Sequence, residues 1–243
     1  FNPRVADLIR RDYIRVPTGV RWTVNDRLEL NVEVEAYATH GLDSDSSAGY
    51  GIGKVRLGAR RLLSHWPKPG LETNVGLNLD FPVGSPPADL TDGLNHVSPF
   101  LVTQRRLDTH PKWTIFGGGS ADFVADSSVP GRIDLNTPRD DSLSVNAGAI
   151  YDLGQIKWTL QGTYTNTWIS AGDEHFFTIR PSMLWFVPRR FTFNSKTQWT
   201  VGIGVRSTWG PDGYELSTGT RVRAEITFRQ ALRRLRGSMD SGR

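Results

Sequence analysis

The chain has 243 residues, 37% of them hydrophobic, with a mean hydropathy of -0.38. No apolar run approaches the roughly 18 residues a membrane helix requires, so a helical membrane protein is excluded. The absence of cysteine excludes a disulfide framework and thiolate metal sites. The net charge of +4 gives no nucleic-acid signal, because Arg229, Arg233, Arg234, Arg236 and Arg243 outweigh Asp240 in the tail while bases elsewhere are matched by acids.

A first strand is predicted over residues 13–24, followed by a tight turn at Asn25-Asp26. In the second, residues 28–39, Leu28, Leu30, Val32, Val34, Ala36 and Ala38 form an apolar face, and Glu29, Asn31, Glu33, Glu35 and Tyr37 form the other. The third, 50–62, carries Lys54, Arg56 and Arg60 on its polar face, within cross-strand reach of Glu29, Glu33 and Glu35. Further strands are read at 71–81, 96–107, 113–124, 143–151, 156–168, 175–186, 197–209 and 214–228. The last alternates without a break: Tyr214, Leu216, Thr218, Thr220, Val222, Ala224, Ile226 and Phe228 against Glu215, Arg221, Arg223 and Glu225.

Strands of about ten residues, greasy on one face and charged on the other, suit a tilted crossing of a bilayer, and hydropathy overlooks them because half of each faces a polar interior. The expected fold is all-β, a transmembrane antiparallel up-and-down β-barrel over residues 13–228. Single-chain bacterial barrels have an even strand number. A twelfth strand is therefore expected, either ahead of residue 13, with residues 1–12 as its remnant or as a segment entering from the outer side, or within a long connection. Phe rather than Met at position 1 is read as processing or truncation before it.

Connections 25–26, 64–70, 108–112, 152–155 and 187–196 are the shorter class and are read as periplasmic. Those at 40–49, 83–95, 125–141, 169–174 and 210–213 are read as outer loops. On that assignment Trp22, Trp113, Tyr151, Trp158, Trp185, Trp199 and Phe228 form a membrane-interface girdle at the periplasmic ends, and Phe81, Phe123, Tyr164, Phe177 and Tyr214 a second at the outer ends. The predicted lumen lining comprises Arg15, Arg21, Glu29, Glu33, Glu35, Lys54, Arg56, Arg60, Glu72, Asp80, Arg105, Asp122, Lys157, Arg180, Arg206, Arg221, Arg223 and Glu225, since such charges cost several kcal/mol each at the bilayer midplane.

Three passages carry a family resemblance. They are Thr23-Val24-Asn25-Asp26-Arg27-Leu28-Glu29-Leu30, Gly51-Ile52-Gly53-Lys54-Val55-Arg56-Leu57-Gly58 and Leu77-Asn78-Leu79-Asp80-Phe81-Pro82-Val83-Gly84. In this order they resemble the outer-membrane family of the MetA pathway of phenol degradation, over about residues 18–125. Lys54 stands where that family has Asp. The resemblance implies an outer-membrane barrel linked to uptake of small, often aromatic, compounds, and no catalytic motif.

His40, His96 and His175 are predicted at outer strand ends, where Asp43, Asp45, Asp173 and Glu174 could join them on a divalent cation; solvated loop residues are the favoured reading. His65 and His110 fall in shorter connections. His175 near Asp173 lacks a serine nucleophile signature, so no enzyme is expected. Gly117-Gly118-Gly119 lies mid-strand and marks a bend or lumen space, not a phosphate loop. The expectations are a channel or transporter for small solutes, with ion pairs across the lumen plugging it as one outcome, or an anchoring barrel in an envelope assembly. No cofactor is expected. The expected partners are outer-membrane lipid and lipopolysaccharide, and a periplasmic or envelope partner for the Arg-rich tail 229–243.

Overall fold

The computed structural model describes residues 12–40, 50–64, 66, 70–84, 91–130, 140–167, 174–192, 198–211 and 213–225; of these, the side chains of 12–15, 39, 40, 221 and 223–225 are left aside. The strands are β1 (Asp12–Thr23), β2 (Leu28–His40), β3 (Tyr50–Ser64), β4 (Glu72–Pro82), β5 (Leu94–Arg106) and β6 (Trp113–Asp126). There follow β7 (Ser142–Asp152), β8 (Ile156–Thr167), β9 (His175–Phe186), β10 (Gln198–Gly210) and β11 (Gly213–Glu225). A 3-10 turn, Arg189–Phe191, lies between β9 and β10. Each strand pairs antiparallel with the next, in the order β1 to β11. This is the up-and-down barrel topology.

β1 and β11 end the ladder and run in the same direction, so a strand between them would be antiparallel to both. Among the described residues none pairs with either free edge. The twelfth strand expected within residues 1–12, and the tail 229–243, fall outside the described residues apart from Asp12, which begins β1.

The registers give the wall two faces. One row runs Val32, Leu57, Leu79, Val97, Phe123 across β2 to β6, and the neighbouring row runs Glu33, Arg56, Asp80, His96 across β2 to β5. The apolar row is the outer one: Val32 is 47% exposed and Phe123 41%. Among the described residues the one buried apolar side chain is Phe176, on β9. A soluble sandwich would bury its apolar faces between two sheets; here Val20, Val145, Leu160 and Leu216 all stand exposed. The apolar surface so presented far exceeds the patches water-soluble monomers tolerate.

The Gly51–Gly53 passage breaks the alternation. Glu35 pairs with Lys54 but Ala36 with Ile52, leaving Gly53 as the extra residue of a bulge. Ile52 is thereby turned outward, half exposed, although it shares the even parity of inward Lys54 and Arg56. The Gly53 carbonyl accepts Val83 N–H at 3.1 Å, tying the bulge to the strand beyond.

Inward glycines make room for aromatic rings. A Cβ at Gly76 would meet the Phe100 ring and the Ala59 carbonyl; one at Gly148 would meet Phe116 and the Leu160 carbonyl. Phe100 and Phe116 therefore lie flat along the wall over their glycine neighbours, which keeps bulky groups out of the middle.

Candidate functional site: the inner wall

The inner wall divides into sectors of different charge. On β1 to β4 acids and bases interlock. Arg56 sits between two carboxylates: its Nε and Nη2 donate to Asp80 Oδ1 and Oδ2 at 2.7 and 2.8 Å, and Nη1 donates to Glu33 Oε1 at 3.2 Å. Only a planar guanidinium can grip one carboxylate with two parallel bonds and hold a second on its far edge. Lys54 Nζ lies 3.9 Å from Asp80, and Glu29 takes Arg21 at 3.3 Å and Arg60 at 3.1 Å. Glu35 is opposite Lys54 in the ladder, and Glu72 accepts Gln104 Nε2 at 2.8 Å.

At the outer end of β4 to β6, His96 donates from Nδ1 to Asp122 at 2.8 Å and from Nε2 to Asp92 at 2.9 Å; Ser98 Oγ adds 2.7 Å to Asp122. Asp92 precedes β5, and its other oxygen accepts Leu94 N–H at 3.2 Å. Ser127 Oγ donates to the Gly93 carbonyl at 2.8 Å, so this turn is clamped to both neighbouring strands. Burial opposes ionisation of Asp92, but the hydrogen bonds from His96 and Leu94 outweigh it and hold the carboxyl below its ordinary 3.8. A depressed carboxylate stabilises the fold above its unfolded value and loses that contribution as pH falls through the folded one. Asp92→Asn should therefore unfold more readily than the parent at pH 7, and the gap should narrow as pH falls below the carboxyl's ordinary 3.8. Urea midpoints of both proteins across pH give the test; a gap independent of pH would show that the charge contributes nothing.

On β7 and β8 the inner positions are uncharged: Ser144, Asn146, Thr159, Gln161, Thr163 and Thr165, with Ser144 and Thr165 hydroxyls 2.6 Å apart. Lys157, at the end of that sector, pairs with Asp152 at 3.0 Å. On β9 to β11 charge returns as arginine. Arg206 Nη2 reaches Glu215 at 3.4 Å, its Nε is buried without a hydrogen-bond partner, and Arg180 has no partner among the described residues.

Of the remaining predicted lining residues, Arg15, Arg221, Arg223 and Glu225 are described by backbone alone, opposite Tyr37, Gly202, Thr200 and Gln198. Arg105 corrects the sequence reading. Its register partner is Ile115, which is exposed on the outer face, so Arg105 lies outward at the strand end and pairs with Asp108 at 3.1 Å. The sequence placed it inward because a charge was assumed to need the lumen; at the end of a strand it needs only the polar boundary.

Trp22, Trp113, Tyr151, Trp158, Trp185 and Trp199 share the outer face near one set of strand ends, with the Trp113 and Tyr151 rings 4.8 Å apart. Phe81, Phe123, Tyr164, Phe177 and Tyr214 occupy the same face toward the other ends, and Trp209 joins them, 5.9 Å from Phe177 and 5.3 Å from Tyr214. Phe228 lies outside the described residues.

The rim histidines are not brought together. His96 is taken by Asp92 and Asp122, His175 Nδ1 lies 2.8 Å from the Tyr164 hydroxyl, and His110 contacts Thr109. Asp43, Asp45, Asp173, His65 and the side chain of His40 lie outside the described residues. Among those described, no cluster of three or more His, Asp or Glu could hold a metal. Asp92 was missed in the sequence because nothing in a polar connection marks one Asp as the partner of a histidine four residues on.

Among the described residues each ion pair between strands joins neighbours along the wall: β1 with β2, β2 with β3, β3 with β4, β5 with β6, β7 with β8, β10 with β11. Among the described residues no ion pair spans the interior.

A crystal structure of an outer membrane channel from Pseudomonas putida F1 is similar in fold, with a TM-score of 0.59 at 15% identity, over 88% of this chain and 82% of that one. No protein-family model and no curated protein matches the sequence. At this identity the likeness establishes the fold.

Proposed function

We propose that this protein is a non-catalytic outer-membrane channel for small solutes. The observation that carries the reading is the direction of the ion pairs. Charges that bridged the interior would plug it; charges satisfied along the wall, among the described residues, leave a polar path for water and solute. The similar outer membrane channel supports the same reading at the level of fold. The outer apolar face and its aromatic ends suit lipid and lipopolysaccharide as surroundings.

The sequence resemblance supports aromatic compounds among the solutes, and the inner face offers Phe100 and Phe116 as apolar contacts beside its polar groups. Purified protein in planar bilayers should conduct in discrete steps, and liposomes holding it should swell in isosmotic solutions of small neutral solutes. Folded protein that does neither overturns the channel and favours an anchoring role, with the 229–243 tail as its contact.

A further inference from the structure

Pro181 interrupts the pairing of β9 with β10. The β9–β10 ladder is continuous from Thr200↔Phe186 to Gly204↔Ser182 and resumes at Ser207↔Ile179. The skipped pairs are Pro181 with Val205 and Arg180 with Arg206. Proline has no N–H to donate, so a break at its position follows directly. The consequence for Arg180 and Arg206 is less ordinary: the register sets two arginines directly opposite each other, an arrangement like charges destabilise in any sheet.

The surroundings neutralise one of the pair, Arg206 through Glu215, and make room for the other. In the same row Arg206 pairs with Ser217 of β11; in the next row Ser182, Gly204 and Gly219 are aligned across the three strands. Gly204 and Gly219 contribute no side chains, and a Cβ on Gly219 would meet no atom within 4 Å. The result is a cleft of about 250 Å³ lined by Arg180, Ser182, Gly204, Arg206, Ser217 and Gly219. Two arginines line this hollow, Arg180 with no partner among the described residues and Arg206 with Glu215 at 3.4 Å.

We propose that this cleft is a subsite for a small organic monocarboxylate travelling through the barrel. Two guanidinium forks, which only donate, and two serine hydroxyls, which can donate, are the groups that bind a carboxylate. Glu215 already offsets one positive charge, so the described groups leave a single excess charge, which one carboxylate matches and a phosphate dianion exceeds. The site rests on the channel reading for how its ligand arrives, and not for its chemistry.

Calorimetric titration of the detergent-purified protein with sodium benzoate tests it apart from conductance. The parent should bind benzoate saturably at one site. Arg180→Gln should weaken binding at least tenfold, whereas Arg190→Gln, on the turn after β9, should not change it. Gly219→Val, which fills the cleft and leaves both arginines in place, should weaken binding at least fivefold; it also serves if Arg180→Gln fails to fold. Inorganic phosphate should bind more weakly than benzoate. No saturable benzoate binding, equal binding by the variants, or tighter binding of phosphate overturns the assignment. A conducting barrel that ignores benzoate loses the subsite and keeps the channel; one that binds benzoate without conducting does the reverse.

Discussion

Leu160→Arg should destabilise the folded barrel by about 2–4 kcal/mol, while the same change three residues on, Thr163→Arg, should cost about 1 kcal/mol or less. Leu160 lies mid-strand in β8, opposite Ala149 and Pro181 on the outer face, and is 56% exposed. An arginine there meets hydrocarbon at the depth where its charge is least tolerated. Thr163 pairs with Asn146 and Thr178, facing the interior, where amide and hydroxyl groups and water solvate a new charge. Urea unfolding in lipid vesicles, followed by tryptophan fluorescence, measures both. Equal effects at the two positions would show that the outer face does not contact lipid.

The second large effect belongs to Arg56. Its removal takes away the cation that joins Glu33 of β2 to Asp80 of β4 and leaves Asp80 with Lys54 at 3.9 Å, and hydrogen bonds to charged groups are worth about 1.5–3 kcal/mol. The side chain is 41% exposed, so water softens the loss, and Arg56→Ala is expected near the lower end of that range. Arg56→Glu should cost more, since three carboxylates then crowd one row. Combining it with Asp80→Arg should recover part of the loss, because the cross-strand pair is rebuilt with its signs exchanged. A double-mutant cycle on the unfolding free energies decides; strict additivity would mean that the groups are solvated independently.

Much of the wall was legible because strand side chains alternate with a period of exactly two residues, so a run such as Leu28 to Ala38 reveals which residues share a face without any knowledge of neighbours. What alternation lacks is register. His96 and Asp122 were both visible as polar residues on their strands, yet only the pairing of β5 with β6 brings them to 2.8 Å. The face-off of Arg180 and Arg206 is likewise a fact about two strands, invisible along either one. Phase errors have a local cause as well: strict counting sends Ile52 inward, and the single extra residue at Gly53 sends it out. Arg105 went wrong for another reason, since counting faces ignores how close a residue is to the end of its strand.

The wall's electrostatic ties run like hoops around a cask, with no spokes among the described residues. Hoops hold staves together whatever is poured through the middle. Among the described residues no ion pair bars the middle, and an exchanged inner side chain disturbs chiefly its neighbours on the wall. The interior can thus drift in sequence and change what it admits while the outer face stays committed to lipid. Barrels of this construction can diverge in cargo far more readily than in shape.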